Sequence, residues 1–189
     1  MKVQEYISSR REARPLHFTL LDPGKTSADD LITLAKQTAE AGTDGFMVGG
    51  STDLSLENVD LAVETIKQTT HMPVILFPTH ASSVSGKADA IFFMSLLNSE
   101  SRQFLVGEQI ASAPWVKKTG LEPLSMAYLV VAPGMTAGRV GQAQPLPRDQ
   151  PDLVVSHALA GQYLGMKYIY LEAGSGASEP VPEDIIKLV

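Results

Sequence analysis

The segment that decides the fold is Tyr170-Leu171-Glu172-Ala173-Gly174-Ser175-Gly176-Ala177. It closes a β-prone apolar run at 167–171 and continues as a glycine-rich loop. Because glycine lets the backbone approach a ligand closely, such a loop can direct several N–H groups at one anion. Glu172 sets a carboxylate beside this predicted anion site, where it would hold a hydroxyl or take a proton. The carboxyl edge of strands is where α/β proteins place their active sites.

The same arrangement, an apolar run followed by polar or glycine residues, recurs along the chain. Six runs predict strands, at 16–21, 45–48, 73–77, 90–95, 125–131 and 167–171. Helical patterns lie at 28–41, 56–69, 101–113, 152–164 and 182–189, and 134–151 is predicted to be a long loop. Strands that alternate with helices indicate βα units and a parallel sheet, and nearly continuous apolar strands are typical of sheets buried on both faces.

Six βα units leave two architectures open. A closed TIM (β/α)8 barrel usually needs at least about 200 residues, and this chain has 189. The α/β sheet is therefore either open or part of a barrel whose last two units are missing from this chain. In both cases we predict a single domain, residues 1–189.

Composition excludes several classes of protein. The net charge is −6 and no dense block of Lys or Arg occurs, which argues against a nucleic-acid partner. The absence of cysteine excludes disulfides and thiolate metal sites. The N-terminus lacks an apolar signal core, and no apolar run approaches the ~18 residues of a membrane span. We therefore expect a cytoplasmic protein with at most transient membrane contact.

Asp22-Pro23-Gly24-Lys25 directly follows the first predicted strand. Its carboxylate could hold Mg²⁺, which prefers oxygen ligands and often bridges to substrate phosphates. Lys25 could hold a phosphate as a point charge. The alternative is an ordinary turn before a helix, since Asp-Pro-Gly is favourable turn chemistry.

Two further segments follow strands. Gly49-Gly50-Ser51-Thr52 could bind a diphosphate or contribute oxygens to a metal site, or could simply be a flexible turn. Asn98-Ser99 is at least as well explained by an N-cap for the next helix. The four histidines lack ligand spacing, so we predict no zinc site. Trp115 is expected to be a packing residue or to line an apolar channel.

The last predicted strand carries Tyr168 and Tyr170, two residues apart and hence on one face. Glu172 shares that face if it continues the strand. One of the tyrosines could hydrogen-bond a substrate hydroxyl, or the two could form an aromatic packing layer.

Five ordered segments together resemble one family. They are His17-Phe18-Thr19-Leu20-Leu21-Asp22-Pro23-Gly24-Lys25, Val48-Gly49-Gly50-Ser51, Leu97-Asn98-Ser99, Ala127-Tyr128-Leu129-Val130-Val131 and Tyr170-Leu171-Glu172-Ala173-Gly174-Ser175-Gly176. In order and spacing this set resembles geranylgeranylglyceryl phosphate synthases, the prenyltransferases of archaeal ether-lipid synthesis. Bacterial heptaprenylglyceryl phosphate synthases are near relatives. The resemblance covers nearly the whole chain.

The resemblance implies a TIM barrel with Mg²⁺ as cofactor, held by Asp22 and Ser51. It implies that Lys25 lies beside the diphosphate and that sn-glycerol 1-phosphate is bound by Tyr170, Leu171, Glu172, Ala173, Gly174, Ser175 and Gly176. A Gly-Gly pair after strand seven and a Gly-Asn pair after strand eight normally complete the phosphate site. Both lie beyond Val189, which suggests an incomplete chain. A homo-oligomer, either a dimer or a hexamer, is also implied.

The implied reaction joins the prenyl group of geranylgeranyl diphosphate to the C3 hydroxyl of sn-glycerol 1-phosphate and releases diphosphate. Asp22, Lys25 and Glu172 are the predicted catalytic residues, with Glu172 accepting the hydroxyl proton. Two alternatives stay open. An isomerase-type phosphosugar barrel would need an acid/base partner for Asp22, whereas a non-catalytic barrel would bind glycerol phosphate without Mg²⁺ dependence.

Overall fold

A computed structural model describes residues 1–50, 54–78 and 80–189 of the chain. In this part of the chain the strands are β1 Phe18–Leu21, β2 Gly45–Gly49, β3 Val74–Phe77, β4 Ala90–Leu96, β5 Glu122–Val130 and β6 Tyr168–Glu172. The helices are α1 Val3–Arg11, α2 Ala28–Glu40, α3 Leu56–Thr70, α4 Glu108–Thr119, α5 Met135–Val140, α6 Pro151–Tyr163 and α7 Glu183–Leu188. A 3₁₀ turn, Ala81–Ser83, and a π-helical turn, Gln103–Gly107, complete the described elements.

The strands follow one another in sequence order, β1-β2-β3-β4-β5-β6, within one sheet. The pairs β1–β2, β2–β3, β3–β4 and β5–β6 are parallel. Doubly wound sheets reverse their strand order part-way along, whereas a barrel adds each new strand beside the last. The six-unit α/β fold is therefore confirmed, and its strand order is that of a TIM barrel rather than of a doubly wound open sheet.

Two helices differ from the sequence prediction. Helix α1 was not predicted, because only Val3 and Ile7 of its nine residues are buried. Its first turn is instead capped by Glu122, whose carboxylate accepts from the backbone N–H of Val3 at 2.6 Å and of Gln4 at 3.3 Å. That partner lies 119 residues away from Val3 along the chain. Helix α5 lies inside the segment predicted as a long loop, because six residues are too few for a clear helical period.

Helix α4 begins later than predicted. The π-helical turn Gln103–Gly107 precedes it, and α4 then continues through Pro114 to Thr119. The hydroxyl of Ser95 donates to the carbonyl of Leu105 at 2.6 Å and so connects the π-helical turn to β4. Residues 102–119 are thus helical without a break, and the pattern at 101–113 placed the end of the helix too early, just before Pro114, which usually interrupts a helix.

The first of two compact units comprises Met1–Phe92 and Ser112–Pro123. Its largest fully buried side chains come from the strands and helix α3: Phe46, Ile66, Ile75, Leu76 and Ile91. Asp44, buried just before β2, accepts two hydrogen bonds from the Arg14 guanidinium at 2.6 and 2.9 Å and one from the His17 backbone N–H at 3.0 Å. This cluster connects the segment that follows α1 to the start of β2.

The second unit comprises Phe93–Ala111 and Leu124–Val189. Its core contains Leu129, Val131, Leu146, Val154, Ala158, Ala173, Val181 and Ile185. Asn98 is buried, and its amide donates to the carbonyls of Val130 at 2.9 Å and Gln144 at 2.7 Å. Its Oδ1 accepts from the Val130 N–H at 3.0 Å. Asn98 therefore holds the end of β5 against the segment that follows α5.

No helix in the described ranges combines the length and the apolar character that crossing a bilayer requires.

Candidate functional site

In the first unit, Asp22 directly follows β1 and lies beside Lys25. Its Oδ1 accepts from the Gly24 backbone N–H at 2.9 Å, and its Oδ2 lies 3.3 Å from the Lys25 ammonium. The carboxylate is 17% exposed and Lys25 is 65% exposed. The segment thus makes the turn that its Asp-Pro-Gly sequence favours. It also leaves part of one carboxylate and most of one ammonium group exposed to solvent, so the turn interpretation is confirmed, whereas the metal and phosphate roles stay predictions.

Gly50 provides the space in which the Asp22 carboxylate lies. A Cβ built on Gly50 would meet Oδ1 of Asp22 at 2.5 Å and Cγ and Oδ2 at 2.7 Å. Real side chains do not tolerate such distances, so any residue larger than glycine would displace the carboxylate. The sequence suggested a diphosphate or metal role for this segment but did not show that Gly50 faces Asp22. The predicted metal ligand Ser51 lies outside the described residues.

The residues around Asp22 are compatible with a substrate-bridged Mg²⁺. Among residues 1–50, 54–78 and 80–189, no three His, Cys, Asp or Glu side chains form a group that could hold a metal ion. Mg²⁺ is usually bound by one or two carboxylates plus substrate phosphates and waters rather than by an all-protein cage. One partly exposed carboxylate beside a lysine matches that requirement.

In the second unit, Glu172 ends β6, and each of its carboxylate oxygens accepts a hydrogen bond. Oε1 accepts from the Gly174 backbone N–H at 2.5 Å, and Oε2 accepts from the Tyr128 hydroxyl at 3.2 Å. The Tyr128 ring lies 5.3 Å from the Tyr170 ring at an interplanar angle of 55°. This contact follows from the parallel register, in which Tyr128 pairs with Tyr170 and Val130 with Glu172.

Tyr128 is the residue of this hydrogen-bonded cluster to which the sequence interpretation gave no role. It occurs in one of the five quoted segments, but nothing in β5 alone showed which residue of β6 it would face. Burial, with a smaller contribution from the Glu172 charge, raises the pKa of Tyr128 far above its usual value. The same two causes raise the pKa of Tyr170. Tyr128 therefore stays protonated and can act as a hydrogen-bond donor across the physiological pH range.

The glycine-rich loop after Glu172 adopts backbone conformations that favour glycine. Gly174 has φ +102° and Gly176 has φ +79°, and the Ala177 N–H donates to the Gly174 carbonyl at 3.0 Å. A Cβ on Gly174 would meet Cβ of Met135 at 2.5 Å and the Gly134 carbonyl carbon at 2.7 Å. The loop is therefore packed against the turn that starts α5. Ser175 and Gly176 are exposed at its tip.

The other residues of the predicted glycerol phosphate segment divide between two environments. Leu171 and Ala173 belong to the apolar core of the second unit, so only their backbones could serve a ligand. Tyr170 is half-buried beside Tyr128. The structure thus brings together Tyr170, Glu172 and Gly174, with Ser175 and Gly176 exposed next to them.

Two residues that the sequence left ambiguous have structural roles. The Ser99 hydroxyl accepts from the Ser101 N–H at 3.0 Å and donates to the Gly141 carbonyl at 2.6 Å; because Ser101 lies before the first helical residue, this is a turn contact, and the predicted N-cap is wrong. The Trp115 indole N–H donates to the Val84 carbonyl at 2.9 Å, and the residue is 40% exposed, so Trp115 is held at the surface of the first unit and not in its core.

Comparison with known proteins decides the family. The model of the PcrB family matches residues 7–189, nearly the whole chain. The chain belongs to the PcrB family. Geranylgeranylglyceryl phosphate synthase from Pyrococcus horikoshii is 52% identical over 188 residues, covering 100% of this chain and 74% of that protein. The enzyme of the same name from Methanothermobacter marburgensis is 46% identical over 189 residues, covering 100% and 77%.

Solved structures agree with this assignment to the PcrB family. Wild-type GGGPS from Thermoplasma volcanium superposes with a TM-score of 0.97 at 46% identity, covering 100% of this chain and 76% of that one. The Thermoplasma acidophilum (S)-3-O-geranylgeranylglyceryl phosphate synthase, in complex with its substrate sn-glycerol-1-phosphate, gives 0.96 at 44% identity, covering 100% and 76%. The family resemblance predicted from five sequence segments is confirmed.

Proposed function

We propose that this PcrB-family chain joins the prenyl group of geranylgeranyl diphosphate to the C3 hydroxyl of sn-glycerol 1-phosphate, with release of diphosphate. The observation that carries the proposal is Glu172. Its two oxygens are already oriented by Tyr128 and Gly174, next to an exposed glycine-rich turn. Relatives that share about half of this sequence carry the name of that enzyme, and one is solved with sn-glycerol-1-phosphate.

Glu172 is suited to bind the two hydroxyls of a glycerol. A carboxylate oxygen has two lone pairs, and one on each oxygen is used within the chain. The remaining lone pair of each oxygen can accept from a substrate hydroxyl. As the C3 oxygen attacks the prenyl carbon, Glu172 takes its proton, provided that the oxygen lies within about 3 Å.

The loop 174–177 would bind the phosphate through its backbone. The Gly174 N–H is engaged by Glu172, so the N–H groups of Ser175 and Gly176 are the ones left to point at the anion. A phosphate bound by the loop would hold the glycerol in one orientation relative to Glu172. That orientation would decide which hydroxyl reaches the carboxylate and attacks the prenyl carbon.

The diphosphate would be bound around Asp22 and Lys25. Asp22 would hold Mg²⁺, which when bound neutralises charge on a leaving diphosphate. Lys25 extends its ammonium into solvent from the same turn. It can follow the diphosphate oxygens as they gain charge during carbon–oxygen bond breaking.

The alternatives are less well supported. An isomerase would need Asp22 to work with a second acid or base, whereas the charged group beside Asp22 in the described ranges is the Lys25 ammonium, 3.3 Å from Oδ2. A non-catalytic barrel gives no reason for a carboxylate oriented by two donors. The predicted homo-oligomer stays a prediction, which sedimentation of the purified chain would test.

The deciding experiment is product formation from geranylgeranyl diphosphate and Mg²⁺ with either sn-glycerol 1-phosphate or its 3-phosphate enantiomer. We expect ether product from the 1-phosphate and at least tenfold less, a difference of about 1.4 kcal/mol or more, from the 3-phosphate. Equal use of both enantiomers would contradict binding through the loop and Glu172 together. No product from either, with glycerol phosphate bound, would favour the non-catalytic alternative.

A further inference from the structure

Tyr128 contacts Glu172 in the proposed site, but what its hydroxyl contributes to the reaction has not yet been derived. Its ring is half-buried in β5 and packs against Tyr170, so the phenol cannot swing freely. Its hydroxyl reaches Oε2 of Glu172 from the neighbouring strand. A tyrosine kept only for packing would gain the same ring contacts as a phenylalanine. The hydroxyl is the feature that requires an explanation.

We infer that Tyr128 is a positioning residue that, together with the Gly174 N–H, sets the rotation of the Glu172 carboxylate. This inference rests on the proposed function, in which Glu172 receives the glycerol hydroxyls. It assigns to Tyr128 no contact with the substrate; Tyr128 acts through Glu172.

The reason lies in the torsion of the carboxylate. The last torsion of a glutamate side chain is broad and has no sharp staggered minima. One donor, the Gly174 N–H on Oε1, still allows the group to rotate about the Cγ–Cδ bond. A second donor on Oε2 removes that freedom, because each oxygen then has its own fixed partner. The free lone pairs consequently have a defined direction before any substrate binds.

The protonation state of Tyr128 supports this role. Burial raises its pKa, so the hydroxyl remains a donor across the physiological pH range. Donors to charged groups are worth more than donors to neutral ones. The Tyr128 hydroxyl is thus well suited to hold a carboxylate that must stay ionised until it accepts a proton.

The test is Tyr128→Phe, which keeps the ring packing and removes only the hydroxyl. We expect kcat with sn-glycerol 1-phosphate to fall about 10- to 100-fold, the range expected for a lost hydrogen bond to a charged group. The KM for geranylgeranyl diphosphate should not change. Tyr163→Phe is the matched control, since Tyr163 is 82% exposed at the end of α6, and it should behave as the wild type.

A double-mutant comparison separates positioning from a direct role. In a Glu172→Ala background, removing the Tyr128 hydroxyl should alter kcat by less than about twofold, the usual error of additivity. A further loss as large as in the wild type would overturn the inference, because Tyr128 would then act without Glu172. A wild-type kcat for Tyr128→Phe would overturn it as well.

A readout that does not need turnover keeps the inference distinct from the proposed function. The Gly174 amide proton binds the same carboxylate, so its NMR resonance should move in Tyr128→Phe and stay in place in Tyr163→Phe. If the wild type forms no product, the proposed function fails, while the Gly174 resonance still reports whether Tyr128 orients Glu172. An unmoved resonance would overturn the positioning role whether or not the chain is active.

Discussion

At the scale of single residues, glycines shape the two places that we propose for the chemistry of this PcrB-family chain. Gly50 leaves room for the Asp22 carboxylate, and Gly174 leaves room for Met135. In both cases the space that a side chain would need is occupied by a group with little freedom to move. Substitution of either glycine removes no contact; it therefore tests whether the position of the neighbouring group matters.

Gly50→Ala should displace Asp22 without unfolding the chain. The new Cβ would come within 2.5 Å of a carboxylate oxygen that the Gly24 N–H also holds. Because a misplacement of about 1 Å can cost on the order of 10²-fold in rate, we expect a loss of that size in kcat/KM for geranylgeranyl diphosphate. The circular dichroism spectrum should stay unchanged.

Gly107→Ala is the matched control for this change. Its added Cβ would meet its nearest neighbour at 3.5 Å, an ordinary contact, and its activity should be that of the wild type. Full activity in Gly50→Ala would show that the position of Asp22 does not matter for the reaction.

Gly174→Ala should weaken binding of sn-glycerol 1-phosphate more than Gly176→Ala does. Both residues have positive φ, and the left-handed region costs an L-residue about 1–2 kcal/mol. Only at position 174 does the new Cβ also collide with Met135 and Gly134, whereas at 176 nothing lies within 4 Å. Overpacking adds about 1–3 kcal/mol, so we expect at least a tenfold difference between the two dissociation constants by calorimetry. Equal dissociation constants would mean that Gly134 and Met135 can move to accommodate the added methyl group without a cost to binding.

At the scale of elements, the buried Asp44 carboxylate connects the segment after α1 to the start of β2. The Arg14 guanidinium, hydrogen-bonded to Asp44, holds the pKa of that carboxyl below its usual value. A carboxyl group with a lowered pKa in the folded state stabilises the fold above its unfolded-state pKa of about 4. That contribution is lost as the pH falls through the lower folded-state pKa.

Asp44→Asn should therefore lower the urea midpoint at about pH 7 and flatten its decline toward about pH 3. The Asp44 carboxylate accepts two hydrogen bonds from Arg14 and one from the His17 N–H. An asparagine amide is uncharged and has only one acceptor oxygen, so it cannot replace these charge-assisted hydrogen bonds. Glu40→Gln, at the exposed end of α2, is the control. If the urea midpoints of both variants fall with decreasing pH as steeply as that of the wild type, Asp44 is not the group whose titration lowers the stability.

The elements also show what the sequence could predict and what it could not. The six strands were predictable because each is a nearly continuous apolar run, and their βα alternation predicts a parallel sheet. Helix α1 was not, since its cap comes from Glu122. In the candidate site, Asp22, Lys25, Glu172 and the glycines could be named from strand-to-loop position. Tyr128 could not, because its partner is set by the β5–β6 register, a long-range property.

At the scale of the whole molecule, neither compact unit is a continuous piece of chain. The divisions after Phe92, Ala111 and Pro123 fall inside β4, α4 and β5. Separating the units would break three elements whose backbones continue from one unit into the other. We therefore expect urea to unfold the chain in one cooperative transition, although two units can be distinguished.

Coincident midpoints by two probes would establish this. The first probe is far-UV circular dichroism, which follows all helices. The second is a signal confined to one unit. Two separated transitions would show that one unit retains its structure without the other, and the continuous β4, α4 and β5 would then have to fray at their divisions.

The single tryptophan supplies that second signal. Trp115 lies in the first unit, bonded to the Val84 carbonyl and with the Lys118 ammonium 5.4 Å from its ring centre. Of the five tyrosines, only Tyr6 belongs to that unit, and the other four belong to the second. Indole emission excited at the red edge of its absorption is therefore an optical label of one unit alone. Tyrosine absorbance reports mainly on the second unit, which contains four of the five tyrosines. The unmodified chain therefore offers a separate optical signal for the unfolding of each unit.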